Sequence, residues 1–373
     1  MIDKTSFESL KISGFKSLKD IDLSLGNSNL LIGSNGSGKS NILRFFEMLN
    51  YIISGNLRDF VEQQGGADDL LFGGIHTTDE IKVRINIKTK SGPFEYEFKL
   101  KFAQPNSLYT EKEYFILDGK TYNVEFFHNN VEKLRRKTAR SEKGIGISSS
   151  NKKIVNSIFE FLSNSSAYQF HDTSNTSGFK VHCDFQDNNF LHSNGGNLAA
   201  ILYRLEKEDR RRYELICQQI ARVLPVFDRF TIEESYGKVL LRWKAKGMGK
   251  TFGPHLTSDG SLRFFALVTL LNLPKEMLPN VLLLDEPELG LHPKAVILIG
   301  NMINSIPYHV QTIVATQSPL LVDQFEVDKI TVLDLENGCT KCRKLKFEDY
   351  EDWLNDDFSP GELWLKNLFG GRP

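Results

Sequence analysis

Eight consecutive residues, Gly33, Ser34, Asn35, Gly36, Ser37, Gly38, Lys39 and Ser40, fit the pattern G-x-x-x-x-G-K-S. Glycines at those places let successive backbone N–H groups turn inward around phosphate oxygens, and a following helix adds the partial positive charge of its N-terminus. In such a loop Lys39 reaches the β- and γ-phosphates and the Ser40 hydroxyl is offered to Mg²⁺. Asn41 closes the candidate nucleotide-binding run. Far downstream, VLLLDEPELGLHP puts Asp285 and Glu286 at the end of an apolar stretch. Ligands of open α/β sheets sit at the carboxyl ends of strands, so both acids are expected to face the glycine loop. Asp285 would hold Mg²⁺ through water and Glu286 would polarise an attacking water. Glu288 reads as a helix-start charge near His292 and Pro293.

These residues need elements to carry them. NSNLLIG is a short apolar strand running into the loop, and Ser40 to about Ser54 has apolar residues at helical spacing, so strand, loop and helix follow in order. Before it, ESLKISGFKSLKDIDLSL alternates with period two around a turn expected at Gly14. From about Asp79 to Val124 the alternation returns, with SGP and DGK as turn signals, and predicts an antiparallel meander. About Asn129 to Asn156 is basic and serine-rich and reads as an exposed connection. One long helix is expected over NLAAILYRLEKEDRRRYELICQQIARVL, up to Pro225. Strands FDRFTIEES and KVLLRWKAK and the helix SLRFFALVTLLNL come next. The last third alternates strand and helix through VLLLDEP, a helix from about Pro293, QTIVATQ, SPLLVDQF, DKITVLDLE and CRKLKF. The unbroken apolar runs are what buried parallel strands look like.

Composition bounds the function. The chain of 373 residues has 46 Lys+Arg against 47 Asp+Glu, which excludes nucleic-acid binding through bulk charge. Hydrophobic residues at 40% and charged residues at 25% fit a globular protein. No window reaches the ~18 unbroken apolar residues of a membrane span, and the N-terminus carries no export signal, so a cytoplasmic protein is expected. Cys339 and Cys342 form a lone C-x-x-C and read as free thiols in a hairpin turn, since tetrahedral zinc needs four ligands. His171 and Asp172 in YQFHDTS have no nucleophile or metal-ligand partner in an activating context and read as a structural link.

The order of motifs, from phosphate loop through S-D-G-S-L-R and LLLDEP to a strand ending in T-Q-S-P, resembles ATPases with an ABC-type head, as in RecF, SMC proteins and the overcoming-lysogenization-defect nucleases. The likeness spans the chain. It is greatest to compact stand-alone ATPases of the RecF-like branch, known as AAA ATPases, through GGADDLLFGG, YQFHDTS, NLAAILYRL and GELWLKNLFGGRP. The resemblance implies an α/β fold, a P-loop NTPase with ABC-ATPase head architecture: a mixed sheet core plus the antiparallel β meander, and an inserted helical lobe. Residues 1–125 would form the N-terminal part of the head, 126–228 the mainly helical insert, and 229–373 the C-terminal part.

The same resemblance makes Ser258, Asp259 and Gly260 the signature motif, whose hydroxyl and N–H groups bind the γ-phosphate held by a second protomer. Two chains would then sandwich ATP and Mg²⁺ as a homodimer or higher oligomer. Gln317 stands where the wider group commonly has histidine; its amide can donate to a γ-phosphate but carries no proton. Lys39, Glu286 and Gln317 are the catalytic candidates, and Gln63 and Gln64 are candidates for the glutamine that touches Mg²⁺ in the wider group. Implied biology is ATP hydrolysis that switches a separate effector subunit, a Toprim-like nuclease or a toxin, in bacterial antiphage defence. The alternative is a RecF-like DNA clamp, with Arg135, Arg136, Arg140 and Arg210, Arg211 and Arg212 on phosphates. No membrane partner is expected. The stretch of about 220 residues from Ser40 to Ser258 holds no heptad array, so a globular insert is expected rather than a coiled coil.

Overall fold

The computed structural model describes residues 5–124, 140–141 and 149–372. Their central sheet has six strands in the order β18 (Cys339–Lys344), β17 (Ile330–Glu336), β3 (Ser28–Ile32), β16 (Gln311–Thr316), β15 (Val281–Asp285) and β9 (Ser165–Tyr168). All run parallel except β18, which returns antiparallel to β17. Every residue of β15 and β16 is buried. The reason is that both faces are covered: Leu282, Leu284 and Val314 enter one core while Leu283, Ile313 and Ala315 enter the other.

On the second of those faces lie α1 (Lys39–Ile53), α3 (Ser149–Ser163) and a seven-stranded antiparallel sheet. That sheet is the expected meander, ordered β2 (Leu18–Ser24), β1 (Ser6–Phe15), β4 (Glu80–Thr89), β5 (Gly92–Ala103), β6 (Ser107–Leu117), β7 (Lys120–Asn123) and β8 (Arg140–Ser141). Its inner face is apolar, with Ile85, Tyr96, Phe98 and Phe115 buried, and its outer face is zipped by ion pairs such as Lys99 with Glu80 and Glu111. The turn between β1 and β2 falls at Lys16 and Ser17, not at Gly14. Gly14 serves the strand instead: a Cβ there would stand 2.2 Å from the Glu80 carbonyl oxygen. The helix α3 begins at Ser149, so the end of the stretch expected as an exposed connection is helical. A further helix, α2 (Leu57–Gln63), packs on β6.

The opposite face carries α4 (Leu198–Glu208), α5 (Arg210–Val223), α6 (Asp259–Leu271) and α7 (Pro293–Asn304). The single helix expected over α4 and α5 is broken at Asp209, which leaves helical geometry (φ −136°, ψ 67°) and caps α5 by accepting from the Arg212 N–H at 3.1 Å. Two small sheets complete this side, β10 (Cys183–Asp184) with β12 (Lys238–Val239), and β11 (Phe227–Phe230), β13 (Trp243–Ala245) and β14 (Thr251–Phe252). Phe227, Phe230 and Trp243 stack around Phe265 of α6. Within the segment 126–228, β9 is an edge strand of the central sheet.

The chain closes with α8 (Pro319–Val322), α9 (Glu351–Asn355) and α10 (Pro360–Leu365), whose Trp364 is wholly buried and donates its indole N–H to the Gly371 carbonyl at 2.9 Å. Cys339 and Cys342 are free thiols, as expected, but they lie on β18 rather than in a turn. Three positions apart on a strand, they face opposite sides and cannot share a metal ion. Among the described residues no cluster of three or more His, Cys, Asp or Glu could hold a metal, and no helix is long and apolar enough to cross a membrane.

Candidate active site

Four adjacent strands end side by side, and this is what builds the site. Ile32 of β3 is level with Thr316 of β16, Asp285 of β15 with Ala315, and Tyr168 of β9 with Leu284. The chain therefore delivers Gly33, Gln317, Glu286 and Gln169 to one edge of the sheet. The glycine loop follows β3 and opens α1, as the sequence predicts. Its turn needs glycine at Gly38, where φ is +104° and a Cβ would stand 2.1 Å from Thr340 Oγ1. Thr340 and Ser17 share a hydroxyl hydrogen bond at 2.7 Å, and Asn41 donates to Ser17 Oγ at 2.8 Å. Asn41 thus spends its amide on pinning α1 to the β1–β2 turn.

Lys39 is buried and its ammonium donates to the carbonyls of Gly33 at 2.7 Å and Ser34 at 2.9 Å. Burial pulls its pKa below the ordinary lysine value, opposed by Glu286, Asp285 and Glu288. Asp285 is 7% exposed. Burial pushes its carboxyl up; the Ser40 hydroxyl and the Gln169 amide pull it back, and Glu286 pushes it further up. Gln169 Nε2 donates to Asp285 Oδ2 at 2.7 Å, while the buried Oδ1 has no hydrogen-bond partner. An orphaned carboxylate oxygen beside a serine hydroxyl is the hard-oxygen donor set that a divalent cation takes.

Glu286 has φ +44°, a left-handed backbone that an ordinary side chain adopts at a cost of about 1–3 kcal/mol. Its carboxylate accepts from the Gln317 amide, which also donates to Asn35 Oδ1 at 2.6 Å. Gln317 so ties the acid to the glycine loop. Glu288 is not the helix-start charge expected of it. It is half-buried, its Oε1 accepts from Thr316 Oγ1 at 2.5 Å and from the Gln317 N–H at 3.1 Å, and desolvation raises its pKa. The cap of α7 is His292, whose Nδ1 accepts from the Lys294 N–H at 3.2 Å.

Gln169 is not among the candidates that the sequence offers; its signal is a glutamine directly after the short strand β9, inside the YQFHDTS segment. Gln63, one of the two candidates for that place, lies at the end of α2 and accepts from the Tyr51 hydroxyl at 3.2 Å. The S-D-G segment opens α6. Ser258 caps it, accepting from the Ser261 N–H at 3.2 Å, and the two hydroxyls lie 2.8 Å apart. Asp259 pairs with Lys180 at 3.3 Å. Ser258 and Asp259 are exposed, and their partners are on α6 and Lys180 rather than on the glycine loop. His171 acts through its backbone carbonyl, which accepts from Arg263, and Asp172 through its carboxylate, which accepts from the Ser174 N–H. Arg210 pairs with Glu206 and Glu214, and Arg212 with Asp209 and the Asn272 carbonyl. Arg135 and Arg136 lie outside the described residues, and Arg140 is described by its backbone alone.

The model of a family described as "AAA domain, putative AbiEii toxin, Type IV TA system" matches residues 28–323. No curated protein matches the chain. Among solved structures it is similar to an SMC head bound to the C-winged helix domain of ScpA, at 17% identity over 93% of this chain and 99% of that one, with a TM-score of 0.58. It is also similar to an Smc head with an extended coiled coil bound to the C-terminal domain of ScpA from Pyrococcus furiosus (14% identity, 95% and 99% covered, TM-score 0.56). A third is the Smc head with a coiled coil and joint from Pyrococcus yayanosii (12% identity, 95% and 99% covered, TM-score 0.53). At these identities the likeness shows the fold, the ABC-type head that the motif order implied.

Proposed function

We propose a function that proceeds from one premise: this chain belongs to the family described as AAA domain, putative AbiEii toxin, Type IV TA system, and is an ATP-hydrolysing enzyme with the fold of SMC heads. It binds ATP with Mg²⁺ at the edge where β3, β16, β15 and β9 end, dimerises around the nucleotide, and uses turnover to switch a partner effector. The convergence of Lys39, Asp285, Glu286, Gln317 and Gln169 on that edge is the observation that carries this reading.

In this reading the loop N–H groups from Gly33 to Ser40 cradle the β- and γ-phosphates, and the Lys39 ammonium swings from the Gly33 and Ser34 carbonyls to the γ-phosphate. Ser40 and Asp285, the latter through water at its partnerless Oδ1, would hold Mg²⁺, and the cation would supply neutralisation of charge on the phosphates. Glu286 accepts the proton of the attacking water, and the Gln317 amide orients that carboxylate. Ser258 and Asp259, exposed at a helix N-terminus, and Gly260 beside them serve the γ-phosphate held by a second copy. The SMC heads bound to ScpA domains support a head that docks a partner protein. The family description, with its putative toxin of a type IV TA system, supports a place in a system of that kind. In this reading the partner is a toxin or Toprim-like nuclease and the setting is cytoplasmic antiphage defence. Direct DNA clamping has less support, because Arg210 and Arg212 are engaged within the chain.

The test is a sizing column run with Mg²⁺ and ATP. Glu286→Gln is expected to retain ATP, turn over about 10²–10⁴-fold more slowly and elute as a dimer. Lys39→Ala is expected to bind no nucleotide and stay monomeric. Equal dimer in both variants without nucleotide refutes the sandwich.

A further inference from the structure

Arg263 sits in the first turns of α6, and three backbone carbonyls hold its guanidinium. Nε donates to Phe170 O at 3.0 Å, Nη2 to His171 O at 3.0 Å and Nη1 to Leu289 O at 3.1 Å. Those carbonyls belong to two turns. One leaves β9 at Gln169, whose amide holds Asp285; the other leaves β15 and carries Glu286 and Glu288. The helix is pressed onto the second turn: a Cβ on Gly260 would stand 2.4 Å from Gly290 O, and one on Gly290 2.7 Å from Arg263 Nη1. The first turn is fastened again at its far side, where Lys180 donates to Thr173 O at 2.6 Å and pairs with Asp259. Arg263, His171, Asp285 and Glu286 line one crevice.

We propose that Arg263 is a positioning residue for hydrolysis in its own chain: it locks the turn bearing Gln169 and the turn bearing Glu286 to the start of the signature helix. This rests on the sandwich reading above. Only a planar fork with several N–H donors in fixed geometry spans three carbonyls at once. Arg263 works by holding the carbonyls of Phe170, His171 and Leu289, and through them the groups on both turns.

A mixture of two inactive chains tests this. Lys39→Ala removes nucleotide binding, and Ser258→Glu sets a carboxylate against the phosphate that the signature should receive. Each chain alone is expected to be inactive. Mixed, they form one working site, with the glycine loop from the Ser258→Glu chain and the signature from the Lys39→Ala chain. No activity in this mixture overturns the sandwich reading before Arg263 is touched. Arg263→Ala is then added to the loop-donating chain. We expect kcat to fall about tenfold or more with the KM for ATP within about twofold, because the displaced turns carry chemistry rather than binding. A kcat within twofold of the unsubstituted mixture overturns the proposal, even where the same substitution in the signature-donating chain is harmful. Should Arg263→Ala melt early, Arg263→Lys is read by the same criteria, since an ammonium keeps the charge but cannot span both turns.

Discussion

The Gln169 amide donates to Asp285 Oδ2 at 2.7 Å, although 116 positions separate the two residues. The bond crosses from the edge strand β9 to its neighbour β15. It stabilises the ionised carboxylate against burial and leaves the other oxygen, Oδ1, for the cation that Ser40 also faces.

Removing that bond should be visible in the pH profile. Burial already raises the Asp285 pKa, and Gln169 is one of the groups that lower it. In Gln169→Ala the carboxyl therefore protonates at higher pH, and the acid limb of kcat/KM should move upward, with kcat near neutral pH reduced about tenfold. An acid limb that stays put would show that Gln169 does not act through Asp285.

Gly38→Ala and Gly36→Ala form a pair that separates backbone strain from collision. Both positions have positive φ, which costs a non-glycine residue about 1–2 kcal/mol. At Gly36 a Cβ meets nothing within 4 Å, whereas at Gly38 it meets Thr340 Oγ1 at 2.1 Å. Nucleotide titrations should show a modest loss for Gly36→Ala and a loss of at least a hundredfold for Gly38→Ala. Equal losses would mean that the Thr340 contact is not what shapes the loop.

Much of this was legible in the sequence because it was local. The glycine loop, the strand before it and the apolar run ending in Asp285 and Glu286 each announce themselves within a dozen residues, and their strand ends fix where they meet. Gln169 was illegible because β9, Ser165–Tyr168, has only four residues and no apolar run. Glu288 reads as a helix-start charge because a charge before a proline-started helix has a ready local role, and its bonds from Thr316 and Gln317 are long-range facts. The break at Asp209 was hidden by good helix formers on both sides, and the cap decided it.

Far from the site, Glu113 is wholly buried in the meander and accepts from the Tyr96 hydroxyl; burial pushes its pKa well above the ordinary value of 4.5. The folded chain thus holds a proton there that the unfolded chain releases, so this group lowers stability as pH rises above about 4.5. Glu113→Gln keeps an acceptor for Tyr96 and removes the titration. Its melting temperature relative to the parent should climb between about pH 5 and pH 8, with ATPase activity unchanged. A constant difference across that range would mean that Glu113 is ionised in the fold.

Trp364→Ala should cost about 3–5 kcal/mol, because the indole is fully buried and its N–H holds Gly371. Urea unfolding reads this directly. A loss under about 1 kcal/mol would mean that the α10 tail is not part of the cooperative core.

The position of β3 has a consequence for how the molecule comes into being. Its five residues, Ser28–Ile32, lie between β16 at Gln311–Thr316 and β17 at Ile330–Glu336. A ribosome therefore exposes the strand that feeds the glycine loop long before either of its neighbours exists. The antiparallel meander pairs mostly within the first third and can form early, but the nucleotide site waits for the final third to emerge. A chain stalled before Gln311 would carry every residue of the glycine loop and no sheet to hold it, so capacity for ATP reports on completed synthesis.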